Sequence, residues 1–540
     1  MDCCSTIPFE QLPFSKLFSD YTKKSDSINQ FFETHPFSKK ERDSYLESYR
    51  FKGNREDSVE LLKNFNKQFD ATDQTLQQIE KLRDENSIAV VTGQQLTLYG
   101  GPLFTVYKIA SAIIQARNLQ NEYGRSVIPV FWLADEDHDY EEAATVGILD
   151  RDHWHSLSFN LNGKSKSPVG RLELDDSFKK FRENIKEFLF DTDFTQELTN
   201  LLDTCYRPGS TFRESFGNLI LKLFGKHGLI LAGSDDPDIK KLGSEILTKS
   251  VSHKDDAYKS VMAATDNLEN MGYHRQVEPG KSNLFWIDDS GNRRKLKTGV
   301  NGSWNAGEKT SWTEQELIRE IEKSPGRFSP NVFTRPLLQD TLLPAVCYVA
   351  GPGELAYYSQ MKDFYTVFGM KMPMILPRFS ATLLESNIDR IMEKLPFNIG
   401  EYDQRIEDLE SQYMESAEEV DIEKIFNDWK KKVDNITQKK KTEIDRVDPT
   451  LKGSAGKVTA LYFTELDKLK GKLYRSQKEQ EQTNLNRIRK IKANLFPGGG
   501  LQERNVAFIY FMNKYGLDIW DRTITFFADE EPVNHKVIRL

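Results

Sequence analysis

The chain has 540 residues, of which 38% are hydrophobic and 29% charged, a composition typical of a folded protein with two or three domains. Its formal net charge of −8 argues against a protein that binds nucleic acid by neutralising phosphates. No apolar run approaches the ~18 residues that cross a bilayer, and the first residues lack the pattern of a signal peptide. We therefore expect a cytoplasmic protein with neither a membrane nor a nucleic-acid partner.

Five short apolar runs follow a helical, polar stretch over residues 1–85. Each is rich in aliphatic and aromatic residues, ends in turn residues and precedes an amphipathic stretch, which is typical of parallel strands alternating with helices. Ligands of such sheets bind beyond the carboxyl ends of the strands, where polar residues accumulate in this chain. The runs cover residues 88–92, 128–134, 229–232, 344–350 and 372–377.

Three further regions do not follow this alternation of strands and helices. Residues 143–175 and 273–312 have the turns of antiparallel strands and predict segments inserted into a core that extends over residues 1–385. Apolar residues at steps of three and four over 386–495 predict a long antiparallel helical hairpin interrupted at 448–456, and we expect it to form a homodimer. A hairpin with internal contacts only is the alternative. Residues 496–540 are expected to return to the core.

The stretch VTGQQLTLYGGPLFTVYK carries the first site candidates. A strand leads into a glycine, two amides and a Gly-Gly-Pro before a helix, and backbone N–H groups at such a helix start attract anions. A tight turn without a ligand is the alternative. The candidates are Gly93, Gln94, Gln95, Gly100, Gly101 and Lys108.

The stretch VFWLADEDHDYEE places four carboxylates at the end of a strand. If the strand continued through it, Asp135, Asp137 and Asp139 would face one way, and Glu136 and His138 the other. Crowded carboxylates need a cation or an ammonium group among them, and His138 is the best-placed candidate for a general base. A solvated acidic loop is the alternative.

Two more regions add candidates. In SPNVFTRPLLQDTLLPAVCYVAGPGELAYYSQ, polar residues precede a strand and a glycine-rich turn follows it, while Arg378 and the GGG turn near residue 499 lie farther on. Four scattered cysteines without a CxxC pair predict neither a disulfide framework nor a zinc site. The candidates are Arg335, Gln339, Asp340, Gly351, Gly353, Glu354, Tyr357, Arg378, Gly499 and Gly500.

Together these stretches, with PRFSATLLE and the terminal GGLQERN, resemble the BshC family, the cysteine-adding enzymes of bacillithiol biosynthesis. The motifs occur in family order over most of the chain. The resemblance implies a Rossmann-like parallel-sheet core, an inserted connecting-peptide-type subdomain and a dimerising coiled coil. It also implies a ligase that joins the carboxyl group of L-cysteine to the amine of glucosaminyl malate, giving the low-molecular-weight thiol bacillithiol.

On that resemblance, each candidate receives a hypothetical role. ATP with Mg²⁺ is the expected co-substrate, because a free carboxylate must be activated, by adenylation or by phosphorylation. Another nucleotidylyltransferase-like enzyme and a non-catalytic scaffold are the alternatives. The catalytic candidates are His138, Asp137 and Glu136; the substrate-binding ones are Gln94, Gln95, Asp135, Asp139, Arg335, Gln339, Asp340, Glu354, Tyr357 and Arg378; the nucleotide-binding ones are Gly93, Gly100, Gly101, Lys108, Gly351, Gly353, Gly499 and Gly500.

Overall fold

A computed structural model describes residues 1–150, 153–161, 166–299, 302–307, 310–416 and 421–540. The chain divides into two compact units, one formed by residues 1–385 with 500–540 and the other by residues 386–499. Parts of the predicted insertions (151–152, 162–165, 300–301 and 308–309) and of the predicted hairpin (417–420) lie outside the described residues.

The first unit is built on a five-stranded parallel sheet. Its strands are β1 (Ile88–Gln95), β2 (Val127–Ala134), β3 (Ile230–Gly233), β4 (Ala345–Ala350) and β5 (Met374–Pro377), in the spatial order β5-β4-β1-β2-β3. All four pairings are parallel, so the five carboxyl ends share one edge. The prediction of five strands and a parallel sheet is confirmed.

Helices cover both faces of this sheet, which explains why its strands are continuous apolar runs. Among the described residues, no helix combines the length and hydropathy needed to span a bilayer. The helices of this unit are Lys16–Thr22, Asp26–Asn29, Lys39–Ser48, Arg55–Asn66, Asp73–Glu80, Leu103–Tyr123, Tyr140–Ala143, Phe178–Phe188, Thr195–Cys205, Phe212–Phe224, Pro237–Leu242, Ser244–Ser252, Lys254–Asn270, Glu314–Lys323, Thr334–Leu342, Pro352–Tyr358, Lys362–Val367, Gln502–Asn505, Phe508–Tyr515 and Ile519–Phe527.

Smaller sheets surround the core. Strand Leu284–Ile287 pairs antiparallel with Arg293–Lys295 across the DSGN turn, in which Gly291 has a φ of 80°. The remaining strands of this unit are Asp2–Ile7, Ser380–Leu384 and His535–Arg539 in one sheet; Phe328–Pro330 beside Leu284–Ile287; Lys297–Thr298, Trp304–Asn305 and Ser311–Trp312 in another; and the pair Thr145–Asp150 and His153–Ser158.

The second unit contains two long helices, Ile422–Val447 and Lys452–Leu495. Lys430 pairs with Asp467 at 2.6 Å, and the Thr437 and Thr459 hydroxyl oxygens lie 2.9 Å apart, so the helices run antiparallel. The turn between them is shorter than predicted, because Gly453 and Gly456 lie inside the second helix. Shorter helices of this unit are Ser386–Met392 and Ile406–Ser416.

The apolar seam of these long helices is buried at one end only. Ile422 and Phe426 pack with Leu466, whereas Ile436 is 61% and Val447 88% exposed within the chain. Much of the described apolar seam is therefore exposed within the chain.

Candidate active site at the carboxyl edge of the sheet

A cavity of about 270 Å³ opens at the carboxyl ends of β1 and β2; we call it the carboxyl-edge cavity. It combines two cations, two carboxylates and several amide and hydroxyl groups, as expected for a polar substrate site. Its lining residues are Gly93, Gln94, Gln95, Lys108, Trp132, Ala134, Asp137, Arg335, Tyr348, Glu354 and Tyr357.

Lys108 anchors one wall of the carboxyl-edge cavity. Its ammonium group donates to the Gly93 carbonyl at 2.7 Å and to Gln94 Oε1 at 2.9 Å, and it pairs with Glu354 at 2.5 Å. Burial lowers the pKa of Lys108, although Glu354 opposes that shift. Three acceptors thus use the three protons of Lys108, which holds the wall in place.

Two of the glycines in this wall have a steric or capping role. A Cβ atom at Gly93 would lie 2.8 Å from the Trp132 carbonyl oxygen on the neighbouring strand, so only glycine permits this close pairing. The Gly351 N–H donates to Glu354 Oε2 at 2.7 Å and caps the helix Pro352–Tyr358.

Arg335 differs from Lys108 because, among the described residues, its hydrogen-bond partners are all neutral. Its guanidinium group donates to Gln339 Oε1 at 3.1 Å and to the Tyr357 hydroxyl at 3.3 Å, and it lies 5.7 Å from the centre of the Tyr348 ring. A guanidinium group without a bound carboxylate, in the wall of a cavity, is suited to a carboxylate or phosphate ligand.

Two further groups point to a polar ligand in the same cavity. Gln95 Nε2 donates to Asp137 Oδ2 at 2.5 Å, which fixes the orientation of that carboxylate. The Trp132 indole N–H is buried and has no partner among the described residues, although the ring lines the cavity. Buried N–H groups are normally satisfied, so this donor is available to a bound acceptor.

Strand β2 ends at Ala134, where the predicted apolar run also ends, so the alternation that a continued strand would give residues 135–139 does not occur. The backbone N–H groups of Ser234 and Asp235 donate to Asp135 Oδ1 at 3.2 and 3.1 Å. Burial, together with the Asp235 and Glu136 carboxylates, raises the pKa of Asp135.

The other carboxylates of this stretch are also engaged within the protein. Glu136 is buried and pairs with Lys240 at 2.6 Å, and Asp139 Oδ1 accepts from the backbone N–H of Glu142 at the start of helix Tyr140–Ala143. Among the described residues, no group of three or more His, Cys, Asp or Glu side chains could hold a metal ion. Of the two occupants that the sequence left open, a cation or an ammonium group, a Mg²⁺ ion does not fit the partners of Asp135, Glu136 and Asp139.

His138 does not line the carboxyl-edge cavity, but it contacts a residue that the sequence did not single out. Arg293 donates to His138 Nδ1 at 3.2 Å, to Ser329 Oγ at 2.9 Å and to the Pro330 carbonyl at 2.8 Å. Because a guanidinium group only donates, Nδ1 is the acceptor, and the neutral ring carries its proton on Nε2.

A second cavity, of about 370 Å³, lies between the Gly-Gly-Pro turn and helix Gln502–Asn505; we call it the loop cavity. Gly101, with a φ of 80°, and Pro102 precede the 21-residue helix Leu103–Tyr123. Both residues line the loop cavity, together with the exposed Arg504. The buried Thr97 hydroxyl also lines it and has no partner among the described residues. The arginine and the unsatisfied hydroxyl are suited to an anion. The Gly101 and Leu103 N–H groups already donate to the Leu98 and Val506 carbonyls at 3.2 and 3.0 Å, and Glu141 and Glu142 also line this cavity.

Several candidates lie away from both cavities. Gly100 packs against Phe508, Gly353 lies near Gln276, and Gly500 adjoins Asn505. Gly499 ends the second unit with a φ of 82°. Gln339 is fully buried behind Arg335, and Asp340 lines a different cavity.

Arg378 is not available to a ligand. It is 2% exposed and forms two hydrogen bonds with the fully buried Glu503, at 3.0 and 2.7 Å. Glu503 also accepts from Ser380 Oγ at 2.8 Å, and burial, which would raise its pKa, is outweighed by Arg378, so the pKa is lowered. The predicted role of Arg378 in holding a substrate carboxylate therefore conflicts with this pairing.

Sequence reasoning missed four residues of this region. Glu503 lies inside the GGLQERN stretch, in which the sequence indicated the glycines as candidates and not the carboxylate. Arg293 follows an ordinary DSGN turn, and no local signal distinguishes it. The sequence around Trp132 is typical of a core strand, and that around Arg504 is typical of a surface helix. Only the structure shows that each lines a cavity.

Comparison with known proteins finds one family for both parts of the chain. Residues 1–379 match the family model "Bacillithiol biosynthesis BshC, N-terminal Rossmann-like domain", and residues 381–540 match "Bacillithiol biosynthesis BshC, C-terminal coiled-coil domain". Proteins named "Putative cysteine ligase BshC" from Salinibacter ruber and Chlorobaculum tepidum are each 32% identical to it, over 94% and 93% of this chain and 93% of each relative. One with the same name from Bacillus cytotoxicus is 31% identical over 95% of this chain and 96% of its own. The chain therefore belongs to the BshC family.

Proposed function

We propose that the chain is a cytoplasmic ligase that joins the carboxyl group of L-cysteine to the amine of glucosaminyl malate, with ATP as the activating co-substrate. The observation that carries the proposal is Arg335, a guanidinium group with neutral partners only, in the wall of the carboxyl-edge cavity. The malate part of the acceptor is a dicarboxylate, and Arg335 supplies the fork that binds one of its carboxylates.

The remaining cavity residues support a polar substrate. The Trp132 indole N–H and the Gln94 amide offer hydrogen bonds to sugar or malate oxygens, and Asp137 offers an acceptor for the ammonium group of cysteine. Lys108 and Glu354 hold each other and keep the wall rigid.

The nucleotide phosphates are assigned to the loop cavity. Thr97 and Arg504 are the groups that would hold them, because the first donates a neutral hydrogen bond and the second supplies positive charge. ATP, when bound, supplies the activation that converts a carboxylate oxygen into a leaving group. Burial raises the pKa of Glu142, which lines the loop cavity, and Gln95, which lines the carboxyl-edge cavity, opposes that shift, so the Gln95 side chain lies near both cavities.

His138 is retained as the proposed proton acceptor for the attacking amine. In this structure its Nδ1 accepts from Arg293, so the role requires Arg293 to release that nitrogen when substrate binds. Arg293 lies on the strand Arg293–Lys295, which belongs to the segment that we propose as a connecting-peptide-type insertion. A movement of that segment would couple substrate binding to the release of His138.

The uncovered apolar residues of the long helices support a homodimer formed through the coiled coil. The function is tested by mass spectrometry of the purified protein with L-cysteine, glucosaminyl malate and Mg-ATP, omitting each in turn. A new cysteinyl amide that needs all three components is expected, and the AMP or ADP released identifies the activation chemistry. No amide from folded, dimeric protein would contradict the proposal.

A further inference from the structure

A third cavity, of about 400 Å³, lies at the amino edge of the sheet, where Ala345 begins β4; we call it the amino-edge cavity. Two loops enclose it, residues 48–52 and 369–371. Tyr49, Phe51 and Met370 give it an apolar and largely aromatic interior. Its size and character are those of a small-molecule site, and none of the roles proposed above uses it.

The rim of this cavity is basic. Lys52 donates to the Gly369 carbonyl at 2.7 Å, and Arg50 donates to the carbonyls of Glu47 and Tyr49 at 2.8 and 2.7 Å. Neither has a carboxylate within 4 Å among the described residues. Lys371 donates to Ser48 Oγ at 3.0 Å and has Glu33 at 3.6 Å. Three cations on two facing loops, held mainly by neutral oxygens, favour an anion at the cavity mouth.

The inner wall of this cavity carries an acidic group, in contrast to the basic rim. Asp340 is 8% exposed and lines the cavity, while Gln339 Nε2 donates to its Oδ1 at 3.0 Å and the Tyr365 hydroxyl to its Oδ2 at 3.0 Å. Burial raises the pKa of Asp340 to about 7. A buried carboxyl group with only neutral partners offers further acceptor capacity to a ligand that carries N–H or O–H donors.

We propose that the amino-edge cavity binds a nucleoside phosphate. The planar base would lie against Tyr49 and Phe51 with its amino group toward Asp340, and the phosphates would meet Arg50, Lys52 and Lys371. Inorganic phosphate would use the rim alone, and an uncharged nucleoside only the interior. A nucleotide matches both ends of the cavity.

The position of this site also gives it a route to the carboxyl-edge cavity. Helix Thr334–Leu342 forms a wall of both cavities, with Arg335 in one and Asp340 in the other. Gln339 lies between them, donating to Asp340 and accepting from Arg335. A ligand that draws on Asp340 therefore changes the hydrogen bonding that orients Arg335, so the bound nucleotide acts as an effector. The binding itself does not depend on the ligase assignment.

The test is hydrogen–deuterium exchange of the full chain with ADP, inorganic phosphate and adenosine as separate probes. ADP is expected to slow exchange at residues 48–52 and 369–371, and at 334–342 through the Gln339 link. The double variant Lys52→Glu/Lys371→Glu should weaken the affinity for ADP at this site by roughly tenfold or more, measured by calorimetry. Lys52→Gln, which removes the positive charge without adding a carboxylate, is the second variant and should weaken the affinity less.

The matched control is Lys40→Glu, an exposed lysine on the helix Lys39–Ser48 outside the cavity, which should bind ADP unchanged. Protection by ADP at the Gly-Gly-Pro turn alone would overturn the proposal and leave the proposed function intact. Equal protection by inorganic phosphate and ADP would overturn the assignment to a nucleotide. Protection at residues 48–52 without any change at 334–342 would overturn the effector role.

Discussion

Arg378 and Arg335 are both held inside the first unit, yet their surroundings differ in one decisive respect. Arg378 forms a buried pair with the carboxylate of Glu503, and Ser380 satisfies the same carboxylate. In the part of the chain that the structure describes, Arg335 donates to an amide oxygen and a hydroxyl group alone, beside a cavity. A buried cation with its own counterion is part of the architecture, whereas one with neutral partners can bind an anion.

A third arginine extends the comparison. Among the described residues, the Arg293 guanidinium group donates to a histidine nitrogen, a serine hydroxyl and a carbonyl group, and it stacks over Phe285 with 3.8 Å to the ring centre. Burial lowers the pKa of Arg293 below its ordinary value, although the Glu136 and Asp137 carboxylates oppose this shift. It resembles Arg335 in its neutral partners, and its proximity to His138 connects it with the proposed chemistry.

The largest expected effect is on stability, from Arg378→Gln. The change leaves the fully buried Glu503 carboxylate without its counterion, which typically costs about 3–5 kcal/mol of unfolding free energy. Urea denaturation measures it. The double variant Arg378→Met/Glu503→Leu is the control and should recover much of the loss. A single variant as stable as the unchanged protein would show that this pair is not architectural.

The next effect is on turnover, from His138→Gln. Removing a general base typically lowers the rate of the chemical step by about a hundredfold or more, and this loss is expected in kcat with little change in stability. The amide-forming assay measures it, and His153→Gln, at an exposed histidine on the strand His153–Ser158, is the control. Unchanged turnover would remove His138 from the role and leave it as a hydrogen-bonding partner of Arg293.

A smaller effect is expected from Arg335→Gln. This variant distinguishes most directly between the binding role of Arg335 and the architectural role of Arg378. Loss of a charge-assisted hydrogen bond to a substrate carboxylate typically weakens binding by about tenfold to a hundredfold. We expect a raised KM for glucosaminyl malate, an unchanged KM for L-cysteine, and a far smaller stability loss than for Arg378→Gln. Arg335→Lys keeps the charge but loses the planar fork and should lie between. Equal changes in both KM values would contradict the assigned contact.

The sheet and the loops at its carboxyl edge could be predicted because their signals are local. Each strand is a continuous apolar run that ends in turn residues, and the glycine-rich turn after β1 is visible within twenty residues of sequence. The same reasoning predicted that Arg335, Gln94, Gln95 and Glu354 contribute to a site, and the structure brings all four to one cavity. Their roles in catalysis and binding stay predictions.

The partners of the charged residues could not be predicted, because they come from distant parts of the chain. Arg378 and Glu503 are 125 residues apart, and His138 and Arg293 are 155 apart. Sequence shows the charge but not its counterion, and the counterion decides between an architectural and a binding role. The end of β2 at Ala134, by contrast, coincides with the end of the apolar run predicted over residues 128–134.

The smallest expected effect concerns Asp340, which shares a helix with Arg335 but carries the opposite charge. Its pKa is raised to about 7, whereas an unfolded aspartate titrates near ~3.9. Between these values the folded state binds more protons than the unfolded state, so this group makes stability fall as pH rises from about 4 to about 7. Asp340→Asn removes that titration. The Tm of the variant minus that of the unchanged protein should therefore increase as the pH rises from about 4 to about 7, and stay constant above that. Asp256→Asn, at an exposed aspartate, is the control, and a pH-independent difference for Asp340→Asn would show that its carboxyl group does not titrate there.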